Sequence, residues 1–328
     1  MNKKVLVTGV CGFIGSHVVE ELSQETCVVG VDDLFSGKRE NVHPNNLDEF
    51  VESDFASPSV LDRVRSGEFE QVIHLAAKAS VPWSVQNPIE SHRENLTKTL
   101  DLLEASRQGK VKRFVFASSS AVYGNGSGKW ILAKSQEPVP FRETDRTQCL
   151  SPYALQKKTV EDYARLLVQG LSDGFEVVCL RYFNVFGPRQ SVSGPYANVI
   201  ASWSDRIVHG LPLTIYGDGQ ATRDYVYVKD VARATVKALT AERGLSDFSV
   251  LNVGSGKSTK LVEILGMFQE IVGRDKPLKS DFQPERAGDA RATLAYMDYS
   301  EKVLGFKPES GNLKENIKST LDWYRTNS

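Results

Sequence analysis

The sequence predicts an α/β protein whose core is a doubly wound parallel sheet, and two observations support this prediction. Short apolar runs alternate with helical patterns through the first half of the 328 residues. A glycine-rich stretch, VTGVCGFIGSH, joins the first apolar run to the first helical pattern. Strands that alternate with helices form βαβ units, and such units build parallel sheets with helices on both faces.

Five apolar runs are predicted to be buried strands, and four amphipathic stretches between them are predicted to be helices. The strands lie at residues 4–9, 27–33, 71–77, 113–120 and 176–184. The helices lie near residues 15–24, 58–66, 88–108 and 152–170. After about residue 180 the pattern loosens and Gly and Pro become frequent, so we expect a second, smaller region that is rich in loops.

The composition argues against several classes of function. The formal net charge is −1, so we expect no nucleic-acid partner and no membrane surface. No apolar run approaches 18 residues, and the run after the N-terminal lysines is too short for a secretory signal. The cysteines lack the spacing of a metal site, so we expect reduced thiols, no metal and a cytoplasmic location. These cysteines are Cys11, Cys27, Cys149 and Cys179.

The first turn and the end of the second strand predict a dinucleotide site. Gly9, Gly12 and Gly15 stand where a strand passes into a helix. Glycine there permits a tight turn and lets a pyrophosphate approach the helix N-terminus. Asp32 and Asp33 end the next strand, about 20 residues on, where a carboxylate accepts hydrogen bonds from a ribose 2′-hydroxyl and repels a 2′-phosphate. This pattern favours a Rossmann domain that binds NAD rather than NADP, and the alternative is a structural turn.

A second glycine-rich stretch, NVGSGKSTKL at residues 252–261, is similar to the phosphate loop of an NTPase. That loop needs a glycine five residues before Gly256, and Leu251 stands there. The stretch also lies far along the chain from the first strand. We therefore reject the NTPase interpretation.

Tyr153 and Lys157 lie four residues apart in SPYALQKKTVEDYARL, which has the pattern of a helix that begins at Ser-Pro. Residues i and i+4 share a helix face, so the lysine would lower the pKa of the phenol and make it usable as a general base. Spacing alone does not decide the matter. The chain has a second such pair, Tyr225 and Lys229, in a segment that alternates like a strand.

The motifs taken together resemble one protein family. The glycine loop, the serines of RFVFASSSAVYG and the YxxxK pair resemble the extended short-chain dehydrogenase/reductase family. Further stretches are similar to its UDP-hexose 4-epimerase branch, and they run from residue 4 to about residue 306: VDDLFSGKREN, HLAAKASVPWSVQNP, RYFNVFGPRQ, LPLTIYGDGQATRDYVYVKDV and LNVGSGK. The resemblance identifies Tyr153 and Lys157 as a catalytic pair.

The resemblance also implies roles for the matching residues. Ser119, Tyr153 and Lys157 would be catalytic, with the Ser119 hydroxyl between the sugar O4 and the tyrosine, and with Lys157 also on the nicotinamide ribose. The implied NAD-binding residues are Gly9, Gly12, Phe13, Ile14, Gly15, Asp32, Asp54, Phe55, Leu75, Ala76, Ala77, Asn95, Tyr153 and Lys157. The implied substrate-binding residues are Ser119, Asn184, Asn198, Val199, Thr214, Tyr216, Arg223, Arg286, Asp289 and Thr293.

Some of these roles have structural alternatives. Asp54 would contact adenine, but it could be a turn residue instead. Asn95 would support the tyrosine–lysine site, or it could hydrogen-bond within its own helix. Tyr216 would lie beside uracil. Arg223 and Arg286 would clamp the diphosphate, for which the guanidinium fork is suited, or they could form surface ion pairs.

The implied reaction is inversion at C4 of a UDP-hexose, with NAD bound and not consumed. The related 4,6-dehydratases and decarboxylases carry carboxylates just after the active-site serine or threonine, and Ser120 and Ala121 stand there in this chain. A non-catalytic NAD sensor would need no base, so the intact set argues against it. Thr293 matches a position that is small in enzymes accepting N-acetylhexosamines. It therefore predicts UDP-GlcNAc and UDP-GalNAc as substrates, and UDP-glucose and UDP-galactose stay open.

The resemblance also implies an organisation for the chain. We expect an NAD-binding Rossmann domain at residues 1–180, with 224–253 returning to it, and a mixed α/β UDP-sugar-binding domain at 181–328. A homodimer is expected through the helices near 88–108 and 152–170. The interval of 34 residues from Ser119 to Tyr153 is longer than is typical of the branch. Its extra segment, residues 124–141, could be a lid, an interface or a decorated loop.

Overall fold

A seven-stranded parallel sheet forms the centre of the computed structural model, which describes residues 4–22, 24–125, 138–171, 174–192, 198–242, 244–273, 275–284, 292–309 and 312–327. Numbered along the chain, its strands are β1 (Lys4–Thr8), β2 (Cys27–Asp32), β3 (Glu49–Glu52), β4 (Gln71–His74), β5 (Arg113–Ser119), β6 (Glu176–Tyr182) and β11 (Phe248–Val253). Their order across the sheet is β11-β6-β5-β4-β1-β2-β3. The strands run outward in both directions from β1 and β4, so the predicted doubly wound parallel sheet is confirmed.

Helices cover both faces of this sheet. The α-helices of the whole described chain are α1 (Phe13–Glu21), α2 (Pro58–Arg65), α3 (Val81–Gln86), α4 (Pro88–His92), α5 (Lys98–Gln108), α6 (Pro152–Leu171), α7 (Val199–Val208), α8 (Val228–Thr240), α9 (Leu261–Val272), α10 (Asp298–Leu304) and α11 (Leu313–Asn327). Residues of α1 and α8 pack on one face with Val5 and Val7. Residues of α2, α5 and α6 pack on the other face with Leu6. Successive side chains of a strand point to opposite faces, which is why Val5, Leu6 and Val7 in the middle of β1 are all apolar.

A smaller group of mixed elements follows β6. Its strands form three pairs, β7 (Asn184–Phe186) with β10 (Tyr225–Tyr227), β8 (Leu213–Tyr216) with β13 (Ser280–Gln283), and β9 (Thr222–Arg223) with β12 (Thr259–Lys260). Helices α7, α9 and α11 enclose a separate apolar core around Trp203, Phe268 and Ile317. The division of the chain into domains at residue 180, with 224–253 returning to the first, stays a prediction.

Some local predictions differ from the structure. The helix expected over 88–108 is three segments, because a π-helical turn, Arg93–Thr97, lies between α4 and α5. Strand β3 was not expected, because its sequence EFVE is charged and half-exposed at the sheet edge. The segment around Tyr225 alternates for only three residues, and Lys229 already belongs to α8. Among the described helices, none is long and apolar enough to cross a membrane.

Candidate active site

The candidate active site is a cavity of about 910 Å³ at the carboxyl ends of the central strands. Open α/β sheets bind ligands where the strand order reverses, and this cavity lies at that point. The expected NAD-binding residues that line it are Gly9, Gly12, Phe13, Ile14, Gly15, Asp32, Asp54, Phe55, Leu75, Ala76, Ala77, Tyr153 and Lys157. The expected substrate-binding residues that line it are Ser119, Asn184, Asn198, Arg223 and Thr293.

The glycine-rich loop forms a cradle that side chains would fill. Gly9 has φ +70°, and a Cβ there would lie 2.7 Å from the backbone nitrogen of Ala76. A Cβ on Gly15 would lie 2.1 Å from the carbonyl oxygen of Gly9. Helix α1 follows this loop, and no side chain caps the N–H groups of its first turn. Such an N-terminus attracts anions, so the loop fits the diphosphate of NAD.

Asp32 joins the end of β2 to the glycine-rich loop. Its carboxylate accepts hydrogen bonds from the backbone N–H groups of Cys11, at 2.9 Å, and of Leu34, at 2.8 Å. The pKa of Asp32 is raised above its ordinary value by burial, although the backbone hydrogen bonds act to lower it. The residue lines the cavity at the position expected for the adenine ribose. It therefore has a structural contact in addition to the ribose contact that the sequence predicts.

Tyr153 and Lys157 lie one turn apart on α6, and both are buried in the cavity wall. Ser119, at the end of β5, shares a hydrogen bond with the Tyr153 side chain. The Nζ of Lys157 donates a hydrogen bond of 2.7 Å to the carbonyl oxygen of Ala117. It lies 5.9 Å from the centre of the Tyr153 ring and 4.6 Å from that of Phe116. The fold thus brings the three residues of the expected catalytic set together.

The prediction that Lys157 lowers the pKa of Tyr153 is wrong for this structure. Burial raises the pKa of Tyr153 to about 12, although the hydrogen bond with Ser119 acts in the opposite direction. Burial also lowers the pKa of Lys157 to about 7. The reason is that both groups are enclosed by protein and that the ammonium donates to Ala117 rather than to the phenol. Desolvation disfavours the charged form of each group.

Asn95 lies in the π-helical turn behind the cavity and is not among the lining residues that the structure describes. Its Oδ1 accepts from the backbone N–H of Lys78 at 2.8 Å, and its Nδ2 donates to the Lys78 carbonyl at 3.1 Å. It also donates to Oε1 of Gln156 on α6, at 3.2 Å. Asn95 therefore fixes the loop after β4 to the helix that carries Tyr153.

Asp54 forms the turn contact that one alternative predicts, and its contact with adenine stays a prediction. It lines the cavity, and its Oδ1 also accepts from the backbone N–H of Ala56 in a turn, at 2.8 Å. Its Oδ2 forms an ion pair with Nζ of Lys98 at 2.6 Å.

The part of the cavity that is expected to hold the substrate contains two hydrogen-bonded asparagines. Nδ2 of Asn184 donates to Oγ1 of Thr293 at 3.0 Å. Asn198 caps α7, and its Oδ1 accepts from the backbone N–H of Ala201 at 3.1 Å. The described lining does not include Val199, Thr214 or Tyr216, which lie on α7 and β8. Arg286 and Asp289 lie outside the described residues, as does most of the 124–141 segment.

The stretch that is similar to an NTPase phosphate loop binds a carboxylate of the chain itself. Oδ1 of Asp224 accepts from the backbone N–H and the hydroxyl of Ser255, at 2.6 and 2.7 Å. Its Oδ2 accepts from the backbone N–H groups of Gly256 and Ala295, both at 3.0 Å. Asp224 is fully buried. The N–H groups of this turn are thus used internally, which agrees with the rejection of an NTPase.

Several residues of the described lining were not predicted from the sequence, among them Lys78, Phe35 and Arg189. The Nζ of Lys78 lies 4.4 Å from the centre of the Phe35 ring, so the loops after β2 and β4 meet at the cavity. Arg189 has φ +68° and forms an ion pair of 2.5 Å with Glu20 on α1. Contacts between distant loops and a left-handed backbone leave no signal in residue spacing. Within the described ranges, no group of three or more His, Cys, Asp or Glu side chains could hold a metal ion.

The chain is similar to known proteins along nearly its whole length. The model of the NAD dependent epimerase/dehydratase family matches residues 5–254. UDP-glucose 4-epimerase of Azospirillum brasilense is 34% identical over 339 residues, which cover 99% of this chain and 93% of that protein. These matches rest on sequence alone and agree with the fold described above.

Two solved structures have nearly the same fold. A UDP-N-acetylglucosamine 4-epimerase from Methanobrevibacter ruminantium, in complex with UDP-N-acetylmuramic acid, has a TM-score of 0.89 and 33% identity. The match covers 100% of this chain and 99% of that one. The UDP-glucose 4-epimerase of Thermus thermophilus, in complex with NAD, has a TM-score of 0.84 and 37% identity, with 98% and 99% covered.

Proposed function

The chain belongs to the NAD dependent epimerase/dehydratase family, and from that premise we propose which UDP-sugar it converts and which residues act. It is an NAD-dependent isomerase that inverts C4 of a UDP-sugar. The proposed substrates are UDP-GlcNAc and UDP-GalNAc, with UDP-glucose and UDP-galactose as a second pair. The observation that carries the assignment of residues is the meeting of Ser119, Tyr153 and Lys157 beside the glycine-rich loop.

The proposed catalytic residues move a proton at the 4-hydroxyl of the sugar. When bound, NAD would supply a hydride acceptor for C4 and, in its reduced form, a hydride donor for the 4-keto sugar. Tyr153 takes the proton of the 4-hydroxyl as general base and gives it back after the hexose has turned. The Ser119 hydroxyl, hydrogen-bonded to Tyr153, lies where it can hold O4. Lys157 keeps the contact with the nicotinamide ribose that the resemblance assigns to it, since in this structure its ammonium donates to Ala117 and not to the phenol.

The nucleotide half of the substrate would be held more firmly than the hexose. Arg223 and Asn198 line the cavity on the substrate side and can bind the diphosphate and sugar. Remote binding energy from UDP can retain the keto intermediate while the hexose rotates. Binding roles for Arg286 and Asp289 are kept from the resemblance alone.

The positions after Ser119 favour an epimerase over its nearest rivals. Ser120 and Ala121 both line the cavity, and neither supplies the carboxylate that elimination or decarboxylation would use. A protein that only senses NAD would not need a buried lysine beside a buried tyrosine, since burial of that lysine opposes its charge. We therefore favour epimerisation over dehydration, decarboxylation or NAD sensing.

The choice of N-acetylated sugars depends on Thr293. Its side chain lines the cavity, and its Oγ1 accepts hydrogen bonds from Asn184, at 3.0 Å, and from the backbone N–H of Asp224, at 3.4 Å. These bonds hold a small side chain at the position that is bulky in the glucose-restricted epimerases. An acetamido group would therefore meet no ring at this position.

Replacement of Tyr153 tests the reaction. UDP-GlcNAc and UDP-GalNAc should interconvert without added cofactor, because NAD is not consumed. Tyr153→Phe should lower the rate by at least about 10²-fold while NAD stays bound. Tyr299→Phe, at an exposed tyrosine on α10, is the control and should leave the rate unchanged. Near-normal turnover of Tyr153→Phe would exclude the mechanism.

Replacement of Thr293 tests the sugar. Thr293→Tyr should suppress the N-acetylated pair and spare UDP-glucose and UDP-galactose, because an added ring overlaps the larger C2 substituent. Thr293→Ser, which keeps the hydroxyl, should retain both activities. Equal losses on the two pairs, or no loss on either, would show that Thr293 does not control the pocket.

We also propose a homodimer through α4, α5 and α6. Apolar side chains that are at least half exposed lie on α3, α4 and one face of α6: Val85, Ile89, Leu155, Tyr163 and Leu166. The double variant Leu155→Glu/Leu166→Glu should sediment as a monomer at micromolar concentration. Phe282→Glu, at an exposed phenylalanine on β13, is the control that should not change the mass. A wild-type protein that sediments only as a monomer would contradict the dimer.

A further inference from the structure

A buried cluster of charged and polar side chains lies directly behind the proposed catalytic pair. Glu161 stands one helical turn after Lys157 on α6, and Arg181 stands on β6. Both are almost fully buried, at 2% and 3% exposure. Isolated buried charges are very unfavourable, so an ion pair in this place needs excellent geometry to persist.

The contacts of Glu161 meet that requirement. Its carboxylate accepts from Nε of Arg181 at 3.0 Å and from Nη2 at 2.6 Å, in a two-point contact. The hydroxyl of Ser118 donates to Oε1 at 2.6 Å. The Arg181 guanidinium lies 4.7 Å from the centre of the Tyr123 ring and donates to the carbonyl oxygen of Glu143 at 3.2 Å. Two-point pairs of this kind fix orientation as well as charge.

The three partners come from three different elements that meet at the catalytic residues. Ser118 directly precedes Ser119 at the end of β5, Glu161 follows Tyr153 and Lys157 on α6, and Arg181 belongs to the neighbouring strand β6. A shift of α6 along the sheet would break all three hydrogen bonds of Glu161. The cluster therefore fixes the register of α6 against β5 at the point where the catalytic residues meet.

We propose that Glu161 is a positioning residue, which acts through Ser118 and Arg181 to hold Lys157 and Tyr153 in register with Ser119. Glu161 does not touch the cavity in the described structure. Its effect is exerted on the helix that carries the catalytic pair and on the charge of the lysine.

The charged surroundings of Lys157 support this role. The titratable groups that interact with it from neighbouring elements are His74 on β4 and Cys179 on β6, and on its own helix Glu161. Burial lowers the pKa of His74 and raises that of Cys179, so both are neutral near pH 7. Glu161 raises the pKa of Lys157 against the effect of burial. Its pairing also neutralises Arg181, which would otherwise be a second buried cation near the lysine.

The test compares two neighbouring acids of α6. Glu161→Gln removes the buried charge, and Asp162→Asn removes an exposed one that pairs with Lys158 at 2.5 Å. NMR of [ε-13C]lysine in the holoenzyme reads the titration of Lys157, assigned from its absence in Lys157→Met. Glu161→Gln should lower the proton affinity of Lys157 about tenfold or more, which is one pKa unit. Asp162→Asn should not change it.

The kinetics supply a second readout, and this one alone rests on the proposed function. Misplacement of a catalytic group by about 1 Å can cost roughly 10²-fold, so Glu161→Gln should lower kcat about 10- to 100-fold. KM should stay within about twofold, since the substrate half of the cavity is untouched. If the wild-type protein lacked epimerase activity, the lysine titration would still test Glu161.

Two further variants keep the test decisive if Glu161→Gln does not fold, because an unpaired buried Arg181 is strongly destabilising. Ser118→Ala removes one hydrogen bond and leaves the ion pair, and it should lower kcat by a smaller factor. Glu161→Leu/Arg181→Met removes both charges and should fold, yet it should still show a lowered kcat because the contact with Ser118 is lost. Wild-type titration of Lys157 in a folded Glu161→Gln, or wild-type kcat in the double variant, would overturn the proposal.

Discussion

Replacing Asp224 by asparagine should destabilise the protein strongly, although the change removes no volume. Four donors converge on this buried carboxylate, two on each oxygen. An amide accepts on one oxygen only, so two donors lose their acceptor. The Ser255 hydroxyl can rotate and accept from the new amide, but one buried backbone N–H stays unpaired, which costs about 1–3 kcal/mol. Bonds to the other oxygen become neutral and lose roughly half of their strength.

The sum is a loss of about 2–5 kcal/mol, a large share of a typical folding free energy of about 5–15 kcal/mol. Urea unfolding would measure it as a lower midpoint with an unchanged slope. Asp218→Asn is the control, because that exposed side chain accepts one turn hydrogen bond of 2.9 Å from the N–H of Gln220, which asparagine can also accept. A difference below about 0.5 kcal/mol between Asp224→Asn and wild type would refute the reasoning.

Three further outcomes are expected. Lys157→Met should remove a pH dependence of stability. The pKa of this lysine falls from its ordinary value of 10.5 to about 7 on folding, because burial disfavours the ammonium. Wild-type protein freed of NAD should therefore gain several kcal/mol of stability from about pH 7 to pH 10. Thermal unfolding across that range should be flatter in the variant, and an unchanged slope would contradict the assigned burial. Asp32→Ala should speed the loss of NAD on gel filtration and relax the discrimination against NADP, and unchanged retention would remove the ribose contact. Gly15→Ala should abolish NAD retention, because its Cβ would overlap the Gly9 carbonyl, whereas Gly170→Ala, where a Cβ has open space, should not.

The five inner strands of the central sheet were predictable because strands buried on both faces read as continuous apolar runs. The glycine-rich loop and Asp32 at the end of β2 were predictable for a related reason: a tight turn restricts the loop to glycine, and a carboxylate at that strand end is the pattern of the predicted ribose contact. The family resemblance was confirmed over the length that the comparisons cover. Edge strand β3 was not predicted, because a half-exposed strand with charged residues lacks an apolar run.

The pKa shifts of the proposed catalytic pair could not be predicted from spacing. Tyr153 and Lys157 do share a helix face, but the sequence does not show that both are enclosed or that the lysine donates to Ala117. The same limit applies to Asp224 and Glu161. Their partners lie 20 to 71 residues away in the chain, and only the folded structure brings them together.

The π-helical turn at Arg93–Thr97 has a consequence for how the chain tolerates insertion and deletion. A single turn of this kind carries one more residue than an α-helical turn would, and such turns are frequent at functional sites. The extra residue rotates the side chains of α4 about the helix axis relative to those of α5. Ile89 can therefore face outward at the proposed dimer surface, while Asn95 reaches Lys78 and Lys98 still reaches Asp54 at the cavity. Deletion of one residue here would restore a regular helix. Residues of the proposed dimer surface and residues of the cavity wall would then lie on the same helical face, and one of the two sets would lose its contacts.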